Sequence, residues 1–201
     1  MRAPRILAAA ALALAALPAR PPAVAAQRPT TVILVRHAEK STRNPLDRNP
    51  SLSPEGERRA RALVAAVRGR RVDAIIVTQL RRTRQTAAPL AAGRGLTPEA
   101  TRMEGDSDDA AAEVASLIRA RHLGHTVVVV GHRTTVPRII ALLGGPTLRP
   151  LCENAYSHVY TLVVPRTGPA RLTHTHYGAA DPPDEHECAD GHLPSRPSRP
   201  R

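Results

Sequence analysis

Hydrophobic positions along the chain fall into two alternating rhythms. Residues 31–35, Thr-Val-Ile-Leu-Val, form an unbroken apolar run rich in β-branched side chains, which predicts a strand buried on both faces. Residues 73–77 and 126–130 repeat that signature, and residues 156–164 and 171–177 read as a closing pair of strands. Between the runs, apolar residues recur at helical spacing. Ser53, Pro54 and Glu55 supply a cap, a first-turn proline and an acid; Ala60, Leu63, Val64 and Val67 then line one face before Gly69. A second helix grows from residues 78–84, and Pro89 is expected to bend or end it. Asp106 to Asp109 open a third, with Val114, Leu117 and Ile118 facing inward. Thr134 and Thr135 cap a fourth that runs to Leu143, ahead of Gly144 and Gly145. The alternation predicts an α/β fold, a three-layer α/β/α sandwich with a largely parallel central sheet.

The two ends follow neither rhythm. Arg2 and Arg5, an apolar run over residues 6–17, and Ala23-Val24-Ala25-Ala26 have the layout of a cleaved secretory signal peptide over residues 1–26. That reading leaves a folded domain over 27–180 and a flexible tail over 181–201, acidic at first and then rich in Pro, Ser and Arg. Export, with a secreted or periplasmic destination, fits a possible disulfide between Cys152 and Cys188, the chain's two cysteines. No apolar run after residue 30 reaches the length of a membrane span.

Composition alters this picture in two ways. With no Phe or Trp and three Tyr, the core must be built from Ala, Leu, Val and Ile. The net charge is +12 and falls to +9 without Arg2, Arg5 and Arg20, so polyanionic partners come into view. Yet 28 Arg against one Lys has the look of codon bias, and no aromatic residues flank the arginines to stack on bases. A single-strand nucleic-acid platform is therefore not expected, nor is a specific nucleic-acid partner.

Chemistry gathers where strands end. In open α/β sheets, ligands bind beyond the carboxyl ends of the strands. His37 and His132 each follow a strand, and the cluster Arg81, Arg82 and Arg84 follows another. Guanidinium forks match phosphate oxygens, and a neutral imidazole among them can attack phosphorus.

The motifs then carry a resemblance. Arg36-His37-Ala38-Glu39-Lys40 after a buried strand resembles the signature of the histidine phosphatase (phosphoglycerate mutase-like) superfamily, on its small phosphohistidine-phosphatase-like branch. Arg82 three residues before Gln85-Thr86-Ala87 is similar to the second motif, Gly131-His132 to the third, and Leu52-Ser53-Pro54-Glu55-Gly56 to the helix-opening element. The resemblance runs from about residue 31 to 178. It implies that His37 is the nucleophile, that Arg36 and Arg82 hold the phosphoryl group and that His132 completes the pocket. Arg81 and Arg84 become a solvated rim. Asn44, in the loop after the first motif, is a further substrate-binding candidate, while Glu39 and Lys40 are expected to set that loop or pair with each other.

Departures from the family pattern are informative. Gln79 stands where proline is common, and Arg133-Thr134 adds charge after His132. The family's general acid has no compelled position; Glu104 and Asp106 are the candidates, although acids at a helix start also satisfy amides and the dipole. His174 and His176 alternate on one face of the last strand, with His186, Cys188 and His192 following. The Pro-rich tail fixes no geometry for a metal, and the family chemistry needs none, so no metal or cofactor is expected.

The expected activity is an exported phosphatase acting on phosphate monoesters or activated phosphates, with a small phosphorylated substrate or a phosphate-bearing envelope polymer as partner. The alternatives are an Arg-rich polyanion binder without turnover and a mutase-like phosphotransferase. Oligomeric state is not legible in the sequence.

Overall fold

The computed structural model describes residues 28–103 and 107–182. The chain begins with β1 (Thr30–Arg36), α1 (Pro54–Ala66), β2 (Ala74–Thr78) and α2 (Arg81–Arg94). It continues through β3 (Glu99–Thr101), α3 (Ser107–Arg121), β4 (Thr126–Gly131), α4 (Thr135–Leu142), β5 (His158–Val164) and β6 (Arg171–His176). The sheet order is β3-β2-β4-β1-β5-β6. Pairing is parallel from β3 through β1 and antiparallel at β1/β5 and β5/β6. The sheet is thus mixed and mostly parallel, as expected.

Because β1 and β4 are covered on both faces, their side chains alternate between two cores. Val32 and Leu34 join Val127 and Val129 beneath Val114 and Ile118 of α3 and Ile139 and Ile140 of α4. Ile33 and Val35 join Val128 and Val130 against Leu63 of α1 and Leu90 of α2. Tyr160 is the one fully buried aromatic among the large core side chains, consistent with an aliphatic interior. No helix among the described residues is long and apolar enough to cross a membrane.

Several local expectations need correction. Pro89 does not end α2, which continues to Arg94 and stops at Gly95 in the left-handed conformation (φ 63°). Tertiary packing of Ala87, Leu90 and Ala91 outweighs one missing hydrogen bond. The three-residue strand β3 went unread because Glu-Ala-Thr has neither alternation nor strong β propensity. Thr134 occupies the cap position of α4 but makes no capping bond; its hydroxyl meets that of Ser107 instead. The folded region also extends to Asp181, whose carboxylate accepts from the Tyr156 and Ser157 amides and the Ser157 hydroxyl, so ordered structure reaches past residue 180. The candidate signal segment, Cys188, His186 and His192 lie outside the described residues.

Candidate active site

The parallel register brings Arg36 of β1 level with Gly131 of β4, which places His37 and His132 side by side at the carboxyl edge. Their ring centroids are 5.2 Å apart in an edge-on arrangement. Gly131 is needed there: a Cβ would come within 2.9 Å of the Thr135 hydroxyl, which accepts from the His132 amide. Gly56, in the helix-opening element, has an equally local reason. A Cβ on Gly56 would sit 2.2 Å from the Glu39 carbonyl oxygen, so only glycine lets α1 approach the loop that follows His37.

The second motif binds the first together. Thr86 accepts from the Ala38 amide at 2.9 Å while donating to the Arg82 carbonyl, and the Gln85 side chain accepts from the Leu52 amide at 2.8 Å. Glu39 does not pair with Lys40, as the adjacency had led us to expect. It receives buried Arg59, with contacts of 2.8, 2.9 and 3.1 Å, while Lys40 lines the site cavity. The physical reason is burial: a guanidinium enclosed beneath the loop must find a carboxylate, whereas Lys40 stays in solvent.

His37 itself is poised by one contact. Its Nδ1 lies 2.8 Å from the Ala38 carbonyl. A carbonyl only accepts, so in the neutral ring Nδ1 carries the proton and Nε2 keeps its lone pair. Burial pushes His37 down to about 2, and His132, Arg36 and Arg82 act in the same direction against the Ala38 hydrogen bond. Burial likewise takes His132 down to about 3, helped by Arg82 and Arg36. Both imidazoles are therefore neutral at ordinary pH. His132 Nε2 is 3.2 Å from the Thr78 hydroxyl, which meets the Thr83 hydroxyl at 2.9 Å; Thr83 donates to the Thr78 and Leu80 carbonyls. With the Thr83 proton committed to backbone, Thr78 donates to Thr83 and accepts from His132 Nε2–H.

Arg36 is buried and held by the loop before β5. Its Nη1 donates to the carbonyls of Cys152 (2.8 Å), Glu153 (2.7 Å) and Ala155 (3.3 Å), and its guanidinium lies 4.1 Å from the centre of the Tyr156 ring. Burial draws Arg36 below its ordinary value, with Tyr156 and Glu153 opposing. Arg82 is half-buried, and its Nε is enclosed without a hydrogen-bond partner. Its affinity for the proton is lowered by burial and then by Arg36. Two guanidiniums and two neutral imidazoles thus face an open cavity of about 570 Å³, with Lys40, Arg48 and Arg133 as basic walls. Exposed Glu153 sits at the rim, 3.4 Å from Arg133 and 3.6 Å from Arg36.

The structure brings together Arg36, His37, Arg82 and His132. Asn44 is elsewhere: its side-chain oxygen accepts from the Leu46 amide in an exposed turn. Arg81 and Arg84 are exposed and outside the cavity lining. Glu104 and Asp106 lie outside the described residues, as does Cys188; Cys152 is buried next to the loop that grips Arg36. Sequence reasoning missed Thr78, Glu153 and Tyr156. Thr78 could have been found as the polar end of an apolar strand, but the other two come from a loop more than a hundred residues away from Arg36 with no motif of its own.

Comparison with known proteins shows what these features are similar to. The family model for the histidine phosphatase superfamily (branch 1) matches residues 32–103. Solved structures share the fold. The protein histidine phosphatase SixA in complex with tungstate aligns with a TM-score of 0.57 at 18% identity, over 73% of this chain and 96% of that one. A putative phosphohistidine phosphatase SixA from Nakamurella multipartitia aligns with a TM-score of 0.52 at 23% identity, over 75% and 98%. A mycobacterial glucosyl-3-phosphoglycerate phosphatase aligns with a TM-score of 0.54 at 19% identity, over 72% and 97%. No curated protein matches the sequence. Residues 32–103 thus resemble the histidine phosphatase superfamily, and the chain shares the fold of these solved structures.

Proposed function

We propose that this chain is an exported phosphatase that works through a phosphohistidine intermediate on His37. The observation that carries the reading is the Nδ1 contact to the Ala38 carbonyl, which leaves His37 Nε2 unprotonated inside a pocket of fixed positive charge. The Nε2 lone pair attacks phosphorus, the bond from phosphorus to the leaving group breaks, and that group takes a proton. Water then attacks the phosphorus, the N–P bond breaks, and phosphate departs as the imidazole is restored. Arg36 and Arg82 hold the phosphoryl oxygens and stabilise the charge that spreads over them in the transition state. Tungstate, bound by the aligned SixA, is an oxyanion of the same shape as phosphate.

An alkoxide leaves poorly without a proton, whereas a phosphohistidine, a phosphoanhydride or an aryl ester leaves readily. With no carboxylic acid compelled by the sequence, the reading favours activated phosphates and aryl esters over alkyl esters. The SixA relatives bear names of phosphohistidine chemistry and the mycobacterial relative that of a sugar-phosphate ester, so both substrate classes occur on this fold. Export rests on the layout of residues 1–26, and a Cys152–Cys188 disulfide would suit that compartment.

The test is acid-quench trapping of a labelled phosphoenzyme, with rates for aryl and alkyl phosphates in wild type, Glu104→Gln and Asp106→Asn. A covalent phosphate that is lost with His37→Ala supports the reading. Fast alkyl turnover that one carboxyl variant removes would name that residue as the acid and overturn the substrate preference. Strong, salt-dependent anion binding without turnover would favour the polyanion binder. Return of the phosphoryl group to a second hydroxyl would favour the phosphotransferase.

A further inference from the structure

A second cluster of imidazoles lies on the antiparallel pair β5/β6, outside the phosphate pocket. The register sets His158 opposite His176 and Tyr160 opposite His174, so His174 is the diagonal neighbour of His158 on the same face. His158 is buried, His174 half-buried and His176 exposed. One nitrogen from each can be chosen so that all three lie within 4.8 Å of one another. His158 Nδ1 and His174 Nε2 are 2.7 Å apart. The sequence pattern associates His174 and His176 with residues of the tail; the structure supplies the third donor from β5 instead.

We propose that His158, His174 and His176 form a binding site for a divalent transition-metal ion of the zinc, nickel or copper kind. Three imidazoles suit these ions and not magnesium or calcium, which take oxygen ligands. Tetrahedral zinc with Zn–N bonds of about 2.0–2.1 Å sets its ligand nitrogens about 3.3 Å apart, between the shortest and the widest spacing found here. Small side-chain rotations therefore close the site. A neutral imidazole has one N–H, so a tautomer shift at whichever of His158 and His174 donates in this contact turns both lone pairs inward, and no proton need be lost.

Two further features fit a metal. His158 Nε2 is 3.6 Å from an Asp181 carboxylate oxygen. That carboxylate is itself fixed by the amides of Tyr156 and Ser157 and by the Ser157 hydroxyl. A ligating histidine typically donates its second N–H to such a carboxylate, which fixes its tautomer and raises its basicity. Tyr160 stacks on His174 with ring centroids 4.7 Å apart and an interplanar angle of 10°, restricting that ring as well. The exposed side of His176 leaves the fourth position to water. An ion so placed would staple the edge strand β6 to β5, and through Asp181 would steady the backbone that grips Arg36.

The experiment uses the full chain, stripped with chelator and titrated with Zn²⁺ against a chromophoric competitor, with Mg²⁺ as control. One Zn²⁺ per chain should bind, Mg²⁺ should not, and Tm should rise by about 5 °C at saturating zinc. His176→Ala changes an exposed side chain, so it should fold without metal and lose at least tenfold in zinc affinity; His176→Gln repeats the measurement if the alanine variant does not fold. His37→Ala and the double variant His186→Ala/His192→Ala should bind zinc like wild type. The proposal fails if wild type shows neither binding nor a Tm shift, if the His176 variants bind as tightly as wild type, or if zinc binding disappears with His37 or with the tail pair.

Discussion

Two groups of histidines sit at the same end of the sheet and are prepared for opposite chemistry. His37 and His132 face the guanidiniums of Arg36 and Arg82, while the second group has the Asp181 carboxylate beside His158. Burial, and then the cations around it, keeps the first pair free of protons, and the same cations draw in an anion. The anionic neighbour of the second group favours a cation. The lesson is that imidazole chemistry is assigned by the burial and charge of its surroundings rather than by its own presence.

The largest expected effect is at the first pair. His37→Ala should lower turnover of an aryl phosphate by several orders of magnitude and remove the trapped phosphoenzyme. A residual rate above about a tenth of wild type, on the same scale of nucleophile loss, would show that this imidazole is not the nucleophile. Next comes Arg82→Ala, expected to cost about 10²–10³-fold in kcat/KM through loss of a charged donor to the phosphoryl oxygens. Steady-state kinetics in which Arg84→Ala is the more damaged variant would reverse the assignment of the second motif.

Stability responds to the support beneath the pair. Arg59 is buried and donates to Glu39 and to the Tyr177 and Ala179 carbonyls. Arg59→Ala should cost about 3 kcal/mol, as breaking a buried pair does, and lower Tm by about 6–12 °C. A drop of under about 2 °C, on the same scaling, would show that solvent at half-buried Glu39 already carries the load.

A pH series separates the two groups more gently. His37 and His132 have folded values of about 2 and about 3, below the ordinary 6.5. Between those limits the unfolded chain binds protons that the folded chain does not. Their contribution to stability is therefore fully present above about pH 6.5 and is lost as the pH falls toward 3 and then 2. Denaturant midpoints should decline through that window, and His37→Ala should flatten the decline. A midpoint independent of pH between 6 and 4 would mean that these rings are charged in the folded protein, contrary to the environment described. The smallest effect belongs to Arg84→Ala, whose exposed charge should change rates less than about twofold and only at low salt.

How far the sequence reached follows the same division. Arg36, His37, Arg82 and His132 were legible because strand ends and fixed spacings are local properties that survive translation into structure. Thr86 and Gln85 were visible as motif letters, yet their work, holding the Ala38 and Leu52 amides, belongs to tertiary approach. Glu153, Tyr156 and Asp181 had no signal, since each acts across a long separation on a partner that only the sheet order brings near. Pro89 and β3 show the other failure, in which packing overrides a local preference.

The near absence of aromatic residues has a practical consequence. With no tryptophan or phenylalanine, the aromatic part of the near-ultraviolet spectrum belongs to Tyr156, Tyr160 and Tyr177. Tyr156 lies against Arg36, Tyr160 beneath His174, and Tyr177 beside Arg59. Each chromophore is therefore a built-in reporter for one neighbourhood: oxyanion entry, ion capture, or the support under α1. Difference spectra with tungstate and with zinc should perturb different tyrosines, and single Tyr→Phe variants can assign each signal without any introduced label.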